Sequence, residues 1–310
     1  MAFDFTKTSA YVRDTFVPFT DASLSIASSP ILYGLSIYTV FAFNWNPDTR
    51  SGVIFRLREH YDRLVNSARI MDFHTFANEW SFERFQEMAL ELIRRNNIQE
   101  DALVRVTVFI DELIAGTKIH GLKNSLSAYV YPMGELLALD GIHACISSWV
   151  RNADNSIPAK AKVNGSYVNA SLMKNEALLN GYDEAIALDH NGHVAEATVA
   201  NIFVVRNGVL ATPDTSTDIL EGITRDSILK LAPSLNIPVE ERSIDRTELY
   251  KTDEIFLCGS SARITPVLSI DKRPIGDGTP GPVTTKLQAA YHAASYGQNP
   301  DFASWCTTVL

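Results

Sequence analysis

Ile157-Pro-Ala-Lys-Ala-Lys-Val-Asn-Gly-Ser-Tyr-Val-Asn169 sets Lys160 and Lys162 among alanine, valine and isoleucine, then breaks at once into Gly-Ser-Tyr. A lysine held among apolar neighbours loses hydration, which disfavours its charged form and lowers its pKa. Such an amine is a nucleophile able to hold an aldehyde as a Schiff base. A surface strand with two solvated lysines would use the same letters, so the stretch is read together with what lies downstream.

Three further features bear on it. Glu196 sits inside Val194-Ala-Glu-Ala-Thr-Val-Ala-Asn-Ile-Phe-Val-Val205, an otherwise apolar strand. A carboxylate there is costly unless a cation or hydrogen bonds compensate it; on pattern alone it could equally face water. Leu220-Glu-Gly-Ile-Thr-Arg-Asp-Ser opens a helix in which Gly222 permits close backbone approach. Its free first-turn amides, with the Thr224 hydroxyl, form an anion cradle, although an ordinary helix cap has the same letters. Gly259-Ser-Ser-Ala-Arg-Ile-Thr-Pro follows a strand end and offers small hydroxyls for a second phosphate contact. A serine nucleophile is set aside, because the strand–G-x-S-x-G–helix context is missing.

Arg63 shares a polar helical stripe with Arg56, His60 and Ser67. Such a stripe reads as a solvated face unless a phosphate raises Arg63 above it. An amine, a fixed anion for a protonated heterocycle and a phosphate cradle together match the three handles of pyridoxal phosphate.

Composition bounds the rest. The 310 residues suffice for roughly two domains. A net charge of −9 without a basic run removes the footprint of a nucleic-acid partner. No apolar stretch reaches the ~20 residues of a membrane span, and MAFDFTKTSA lacks the regions of a signal peptide. Cys145, Cys258 and Cys306, odd in number and far apart, fit a reducing compartment, so a cytoplasmic protein is expected. The seven histidines show neither HExxH nor pairing with CxxC, and no metal site is expected.

Along the chain, Ile31–Phe43 reads as one long buried strand and Gly52–Arg56 as a short one. Leu57, Tyr61, Leu64, Val65, Ala68 and Met71 fall at helical spacing, and Ser81 caps a second helix. Strands follow at Leu103–Ile110 and Ser127–Tyr131, separated by a polar, glycine-flanked loop from Ala115 to Asn124 that could reach over a site. The second half is mostly β. His143–Val150 is a strand, Val168–Asn180 a helix, and Asp183–Asp189 pairs with His193–Val205 through His-Asn-Gly-His. Expected domains are 1–130, small and α/β, and 143–310, larger and β-rich, joined by a linker over 131–142.

At this point the chain resembles the class IV pyridoxal-phosphate aminotransferases of fold type IV, the branched-chain aminotransferase group. The resemblance runs from about residue 20 to the C-terminus. It rests on FRLREHYDRLVNSARI (55–70), IPAKAKVNGSYVN (157–169), GYDEAIALD (181–189), ILEGITRDSILKLA (219–232), GSSARITPV (259–267) and GPVT (281–284). It implies a two-domain α/β fold and pyridoxal 5'-phosphate as cofactor. The Schiff-base lysine falls on Lys162, which strand parity alone cannot separate from Lys160.

By the same resemblance, Tyr167 bonds the cofactor's phenolic oxygen and Glu196 faces the ring nitrogen. Arg63, the Ile223 and Thr224 amides beside Gly222, and Ser260 hold the phosphate, while Leu220 packs on the ring. Tyr38, Val40, Arg105 and Ser261 are the expected substrate contacts. The implied reaction moves an amino group from a branched-chain L-amino acid to 2-oxoglutarate by ping-pong kinetics, in a homodimer or larger assembly. Two blocks depart from the family's pattern. YGTSVFEGIRAY becomes Tyr33-Gly-Leu-Ser-Ile-Tyr-Thr-Val-Phe-Ala-Phe43, and the Gly-Ser-Gly-Glu-Asn after Glu196 becomes Ala197-Thr-Val-Ala-Asn201. They motivate an alternative, an (R)-selective amine or D-amino-acid transaminase on the same fold.

Overall fold

The computed structural model describes residues 4–134 and 137–309. Glu135 and Leu136, part of the expected linker, lie outside the described residues. The chain forms two compact units, one of Met1–Met133, Ala161–Gly165 and Ala294–Leu310, the other of Gly134–Lys160 and Ser166–Ala293.

The first unit is built from β1 (Ser9–Val12), β2 (Thr15–Pro18), α1 (Ser29–Tyr33), β3 (Ser36–Asn46), β4 (Ser51–Phe55), α2 (Leu57–Ile70), α3 (His74–Glu79), α4 (Phe82–Arg95), β5 (Ala102–Ile110) and β6 (Asn124–Pro132). The second holds β7 (Ile142–Val150), α5 (Tyr167–Leu179), β8 (Glu184–Leu188), β9 (Val194–Ala197), β10 (Asn201–Arg206), β11 (Val209–Thr212), α6 (Ile223–Ser234), β12 (Val239–Glu241), β13 (Glu254–Gly259), β14 (Arg263–Ile270) and β15 (Arg273–Pro274). Then come α7 (Pro282–Ser295) and β16 (Cys306–Thr308).

In the first unit a seven-stranded sheet runs β16-β4-β3-β5-β6-β1-β2. The expected strand over 31–43 is divided. Pro30 opens the five-residue α1, Gly34 ends it at φ 68°, and β3 starts only at Ser36. A left-handed residue after a helix is glycine's ordinary task. Along β3 the period of two turns Thr39, Phe41 and Phe43 to one face. There Phe41 meets His60 of α2 and Phe85 of α4, and both phenylalanines are fully buried. Each such ring contributes roughly 1.5–3 kcal/mol on leaving water. The other face carries Tyr38 and Val40, with Val40 directly opposite Arg105 of β5.

The Ser81 hydroxyl accepts from the Arg84 amide at 3.3 Å, capping α4 as its sequence indicated. Residues 294–310, assigned by pattern to the second domain, pack with the first because β16 pairs with β4. β1, β2 and α3 are short and weakly patterned and were not legible in advance.

The second unit carries a nine-stranded sheet, β12-β11-β10-β13-β14-β7-β8-β9, with β15 on β14. The expected hairpin forms between β8 and β9. The long strand expected over 193–205 does not persist. The Ala197 amide bonds the Ala200 carbonyl at 2.8 Å and the Thr198 hydroxyl donates to buried Glu184 at 2.7 Å, turning the chain. β10 then leaves to pair with β11 and β13. Ile186, Ile202, Leu257 and Ile270 centre the core of this unit.

Candidate active site

Lys162 is fixed by its backbone. β4 pairs with β3 only at residues 43–46, which leaves the edge of β3 open near its start. Residues 161–165 take that edge: Ile37 bridges Val163, and the Tyr38 amide donates to the Lys162 carbonyl at 3.0 Å. The Lys162 amide donates to the Ser67 hydroxyl at 3.1 Å. Gly34 and Gly165 make the approach possible, since a Cβ on Gly34 would lie 2.8 Å from the Gly165 Cα.

The Lys162 Nζ, on a half-buried side chain, stands 4.9 Å from the Tyr38 ring centroid. Arg105 stacks on the same ring at 3.7 Å, and its Nη2 donates to the Asn164 Oδ1 at 2.6 Å. Asn164 in turn donates to Ser36 at 2.8 Å. Arg105 is thus held by its neighbours rather than left as a strand residue in water. Lys160 has a different fate: its Nζ donates to the carbonyls of Thr217 and Ile219, both at 3.2 Å. Local surroundings therefore separate two lysines that sequence parity could not.

The polar stripe of α2 is not the solvated face its spacing indicated. Arg56, His60 and Ser67 are buried and Arg63 is half-buried, because this face packs on β3. Thr39 Oγ1 pairs with His60 Nδ1 at 2.8 Å, and Arg63 Nη2 lies 3.5 Å from the same hydroxyl. Burial, then the charges of Arg63, Arg56 and Lys162, hold the His60 imidazole well below its ordinary value, so it stays neutral.

In the second unit Glu196 is 5% exposed, and both of its oxygens are engaged. Oε1 accepts from Arg151 Nε at 2.8 Å and pairs with Nη2 at 2.7 Å. Oε2 accepts from Asn201 Nδ2 at 2.9 Å and from the Leu220 amide at 3.3 Å. This compensation is what a buried carboxylate requires. Arg151 and Asn201 escaped sequence reading. Their one legible sign is that a charged residue ends β7 and an asparagine opens β10.

Asn201 Nδ2 also donates to the Leu220 carbonyl at 2.9 Å. A Cβ on Gly222 would fall 2.0 Å from the Asn201 Oδ1, so only glycine fits there. Gly222 is the N-cap of α6 and supplies no side-chain cap, while Ile223 and Thr224 are buried. A helix start with uncapped amides in a buried setting is built for an anion. Ser260 and Ser261 lie in the turn between β13 and β14, both half-buried. That turn adjoins residues 198–200, since a Cβ on Gly259 would lie 3.6 Å from the Val199 carbonyl oxygen. Tyr167, half-buried, is the first residue of α5.

Pyridoxal 5'-phosphate needs an amine that can release its proton, an acid for its ring nitrogen and a seat for a dianion. Lys162, Glu196 and the start of α6 have the required chemistry, so the residues present fit the cofactor.

Known proteins bear out the family and the cofactor. The family model described as amino-transferase class IV matches residues 37–270. A probable branched-chain-amino-acid aminotransferase of Aquifex aeolicus is 40% identical over 97% of this chain and 96% of its own. The branched-chain-amino-acid aminotransferase of Escherichia coli is 36% identical over 98% of this chain and 99% of its own. The crystal structure of a branched-chain aminotransferase from Thermoproteus uzoniensis with norvaline superposes with a TM-score of 0.93 at 33% identity, covering 98% of this chain and 99% of that one. A branched-chain aminotransferase from Thermobaculum terrenum, solved in its PLP form, gives a TM-score of 0.91 at 31% identity, covering 99% of this chain and 100% of that one. The family match over most of the chain and these full-length relatives show that the chain belongs to the class IV aminotransferases of fold type IV, with pyridoxal 5'-phosphate as its cofactor.

Proposed function

We propose that this aminotransferase moves the amino group of a branched-chain L-amino acid to 2-oxoglutarate in two half-reactions of a ping-pong cycle. The observation that carries the reading is the placement of Lys162. Its backbone is held by Tyr38 and Ser67 and its amine lies 4.9 Å from the Tyr38 ring centroid, whereas the Lys160 amine is engaged by the Thr217 and Ile219 carbonyls. Full-length relatives named for branched-chain amino acids support the substrate class.

When bound, pyridoxal phosphate supplies an electron sink for the pair left at the substrate's α-carbon. Lys162 Nζ would hold the cofactor and, once released, carry the proton from the α-carbon as a general base. Glu196, paired with Arg151, would face the ring nitrogen of the bound cofactor. Tyr167 would donate to the phenolic oxygen and Leu220 would pack on the ring, while the Ile223 and Thr224 amides, Arg63 and Ser260 would take the phosphate. Arg105, pre-oriented by Tyr38 and Asn164, receives the substrate carboxylate. Tyr38, Val40 and Ser261 shape the pocket.

The (R)-selective amine or D-amino-acid alternative, raised by the 33–43 and 197–201 blocks, is not favoured. Part of the altered second block has its own structural task, since the Thr198 hydroxyl donates to buried Glu184 at 2.7 Å.

A homodimer or larger assembly accords with exposed apolar side chains, Ile26, Ile31 and Leu32 in the first unit and Trp149, Val150 and Val168 in the second. No helix among the described residues is long and apolar enough to cross a membrane. Cys145, Cys258 and Cys306 are free, and burial pushes all three thiols up, Cys145 and Cys306 to about 11. Such inert thiols accord with a cytoplasmic setting.

The test follows the cofactor absorbance of the holoenzyme after adding L-leucine or (R)-1-phenylethylamine separately, then 2-oxoglutarate. Conversion by L-leucine and reversal by 2-oxoglutarate are expected. Silence with L-leucine and conversion by the amine would reject the assignment.

A further inference from the structure

The α2–α3 turn and the β5–β6 loop bring together a cluster to which the proposed aminotransferase reaction assigns no role. Asp72, His74 and His120 bring one carboxylate and two imidazoles together, with ligand atoms all within 4.8 Å of one another. Among the described residues it is the one such group of three found. We propose that these residues form a site for a divalent first-row transition ion of the zinc class, which fastens the tip of the β5–β6 loop to the α2–α3 turn.

The geometry is specific. Asp72 Oδ1 faces His74 Nε2 at 2.5 Å, and its Oδ2 faces His120 Nδ1 at 2.8 Å. The rings stand nearly perpendicular, at 83°, with centroids 5.6 Å apart. Both imidazoles therefore aim a nitrogen at one carboxylate rather than stacking. Metal–ligand distances of about 2.0–2.2 Å put neighbouring ligand atoms of a tetrahedron somewhat over 3 Å apart. Widening each pair by under about 1 Å would admit the ion. Two imidazoles and one carboxylate leave a position for water, a donor set that suits zinc, nickel or cobalt and not calcium or magnesium.

The backbone presents these donors before any ion arrives. Asp72 sits in the left-handed region at φ 59°, a conformation aspartate tolerates better than most residues. His74 is the first residue of α3. Next to it Thr75 exchanges hydrogen bonds with Asn124, at 3.1 Å and 3.3 Å, where the loop rejoins β6. The base of the loop is stitched by the Asp111 amide to the Lys123 carbonyl and by the Lys123 amide to Glu112. Beyond that base Leu113 is 66% exposed, and Gly116 and Gly121 have positive φ with open space around them. His120 lies between those glycines, so a ligand bond there restrains this part of the loop. Sequence spacing missed the group because His120 arrives from a separate loop and the motif has neither HExxH nor CxxC.

The test uses the holoenzyme freed of metal by chelator dialysis. Zn²⁺ alone is titrated by calorimetry, and Co²⁺ is used as a visible-absorption probe. Asp72→Asn, His74→Gln and His120→Gln keep size and backbone preference at exposed or half-exposed positions, and circular dichroism checks that each folds. One equivalent of Zn²⁺ per chain is expected. Each substitution should weaken it more than about tenfold, the lower end of what losing even an outer partner costs, and abolish the Co²⁺ absorption. Zn²⁺ should also slow proteolytic cleavage between residues 112 and 121 in the parent and not in the variants. No uptake, or uptake unchanged by the substitutions, would mean surface ion pairs only and would overturn the site. Uptake with unaltered cleavage would overturn the fastening role.

Discussion

Arg151 Nη2 stands 2.7 Å from Glu196 Oε1, and both side chains are almost fully buried. A buried pair is a weak stabiliser as a whole, but removing one partner strands the other charge at a cost of about 3–5 kcal/mol. Arg151→Gln should therefore lower the stability of the second unit by that amount, read from chemical denaturation, and loosen cofactor retention on dialysis. Stability within 1 kcal/mol of the parent, on that same scale, would show that the pair is not buried in solution.

Under the proposed assignment, Lys162→Ala removes both the covalent attachment and the proton carrier. Turnover should fall by more than the roughly 10²–10⁴-fold typical of a lost general base, and borohydride should no longer fix the cofactor. Lys160→Ala should keep the borohydride adduct, since its amine is engaged by the Thr217 and Ile219 carbonyls. Mass mapping of the adduct to residue 160 would reverse the two roles.

Gly222→Ala drives a Cβ to 2.0 Å from the Asn201 Oδ1. Asn201 must move, releasing its bonds to Glu196 and Leu220. An overpacked site of this kind costs about 1–3 kcal/mol, and cofactor affinity should drop with it. Fluorescence titration of the cofactor-free variant measures that drop, and unchanged affinity would separate Gly222 from the phosphate seat.

Arg105→Gln should raise KM for carboxylate substrates roughly 10–100-fold, the worth of a charge-assisted hydrogen bond, with kcat less affected. Steady-state kinetics on L-leucine decide it. A fall in kcat at constant KM would instead place Arg105 in the proton-transfer step.

His60 gives the protein a pH dependence with a definite sign. Its folded-state pKa lies well below the ordinary 6.5 because the ring is buried among cations. The unfolded chain therefore takes up a proton before the folded chain does. The contribution to stability is fully present above about pH 6.5 and declines as the pH falls toward the folded value. For one proton the slope is at most about 1.4 kcal/mol per pH unit. Denaturation midpoints between pH 7 and 5 should fall less in His60→Gln than in the parent.

What could be read in advance divides along physical lines. α2 and α4 were legible because an apolar face at helical spacing and a serine cap are local signals. The β8–β9 hairpin was legible because Asn-Gly selects its turn. The split of 31–43 was missed because Ile31, Leu32 and Tyr33 are good strand formers that Gly34 and Pro30 override. The split of 193–205 was missed because only the Thr198–Glu184 contact, far apart in sequence, reveals it. The buried stripe on α2 was misread for the same reason: its partner Thr39 lies on another element. Glu196 was singled out correctly as expensive, yet its compensation by Arg151 and Asn201 is tertiary and left no trace in spacing.

Tyr38 meets Lys162 in two separable ways. Its peptide N–H supports the Lys162 carbonyl, while its ring faces Arg105 and the lysine amine. A library built at position 38 would vary the aromatic surface and leave that main-chain strut standing. Directed evolution of amine scope can therefore begin there without dislodging the Lys162 main chain, a freedom that neither Gly34 nor Gly222 offers.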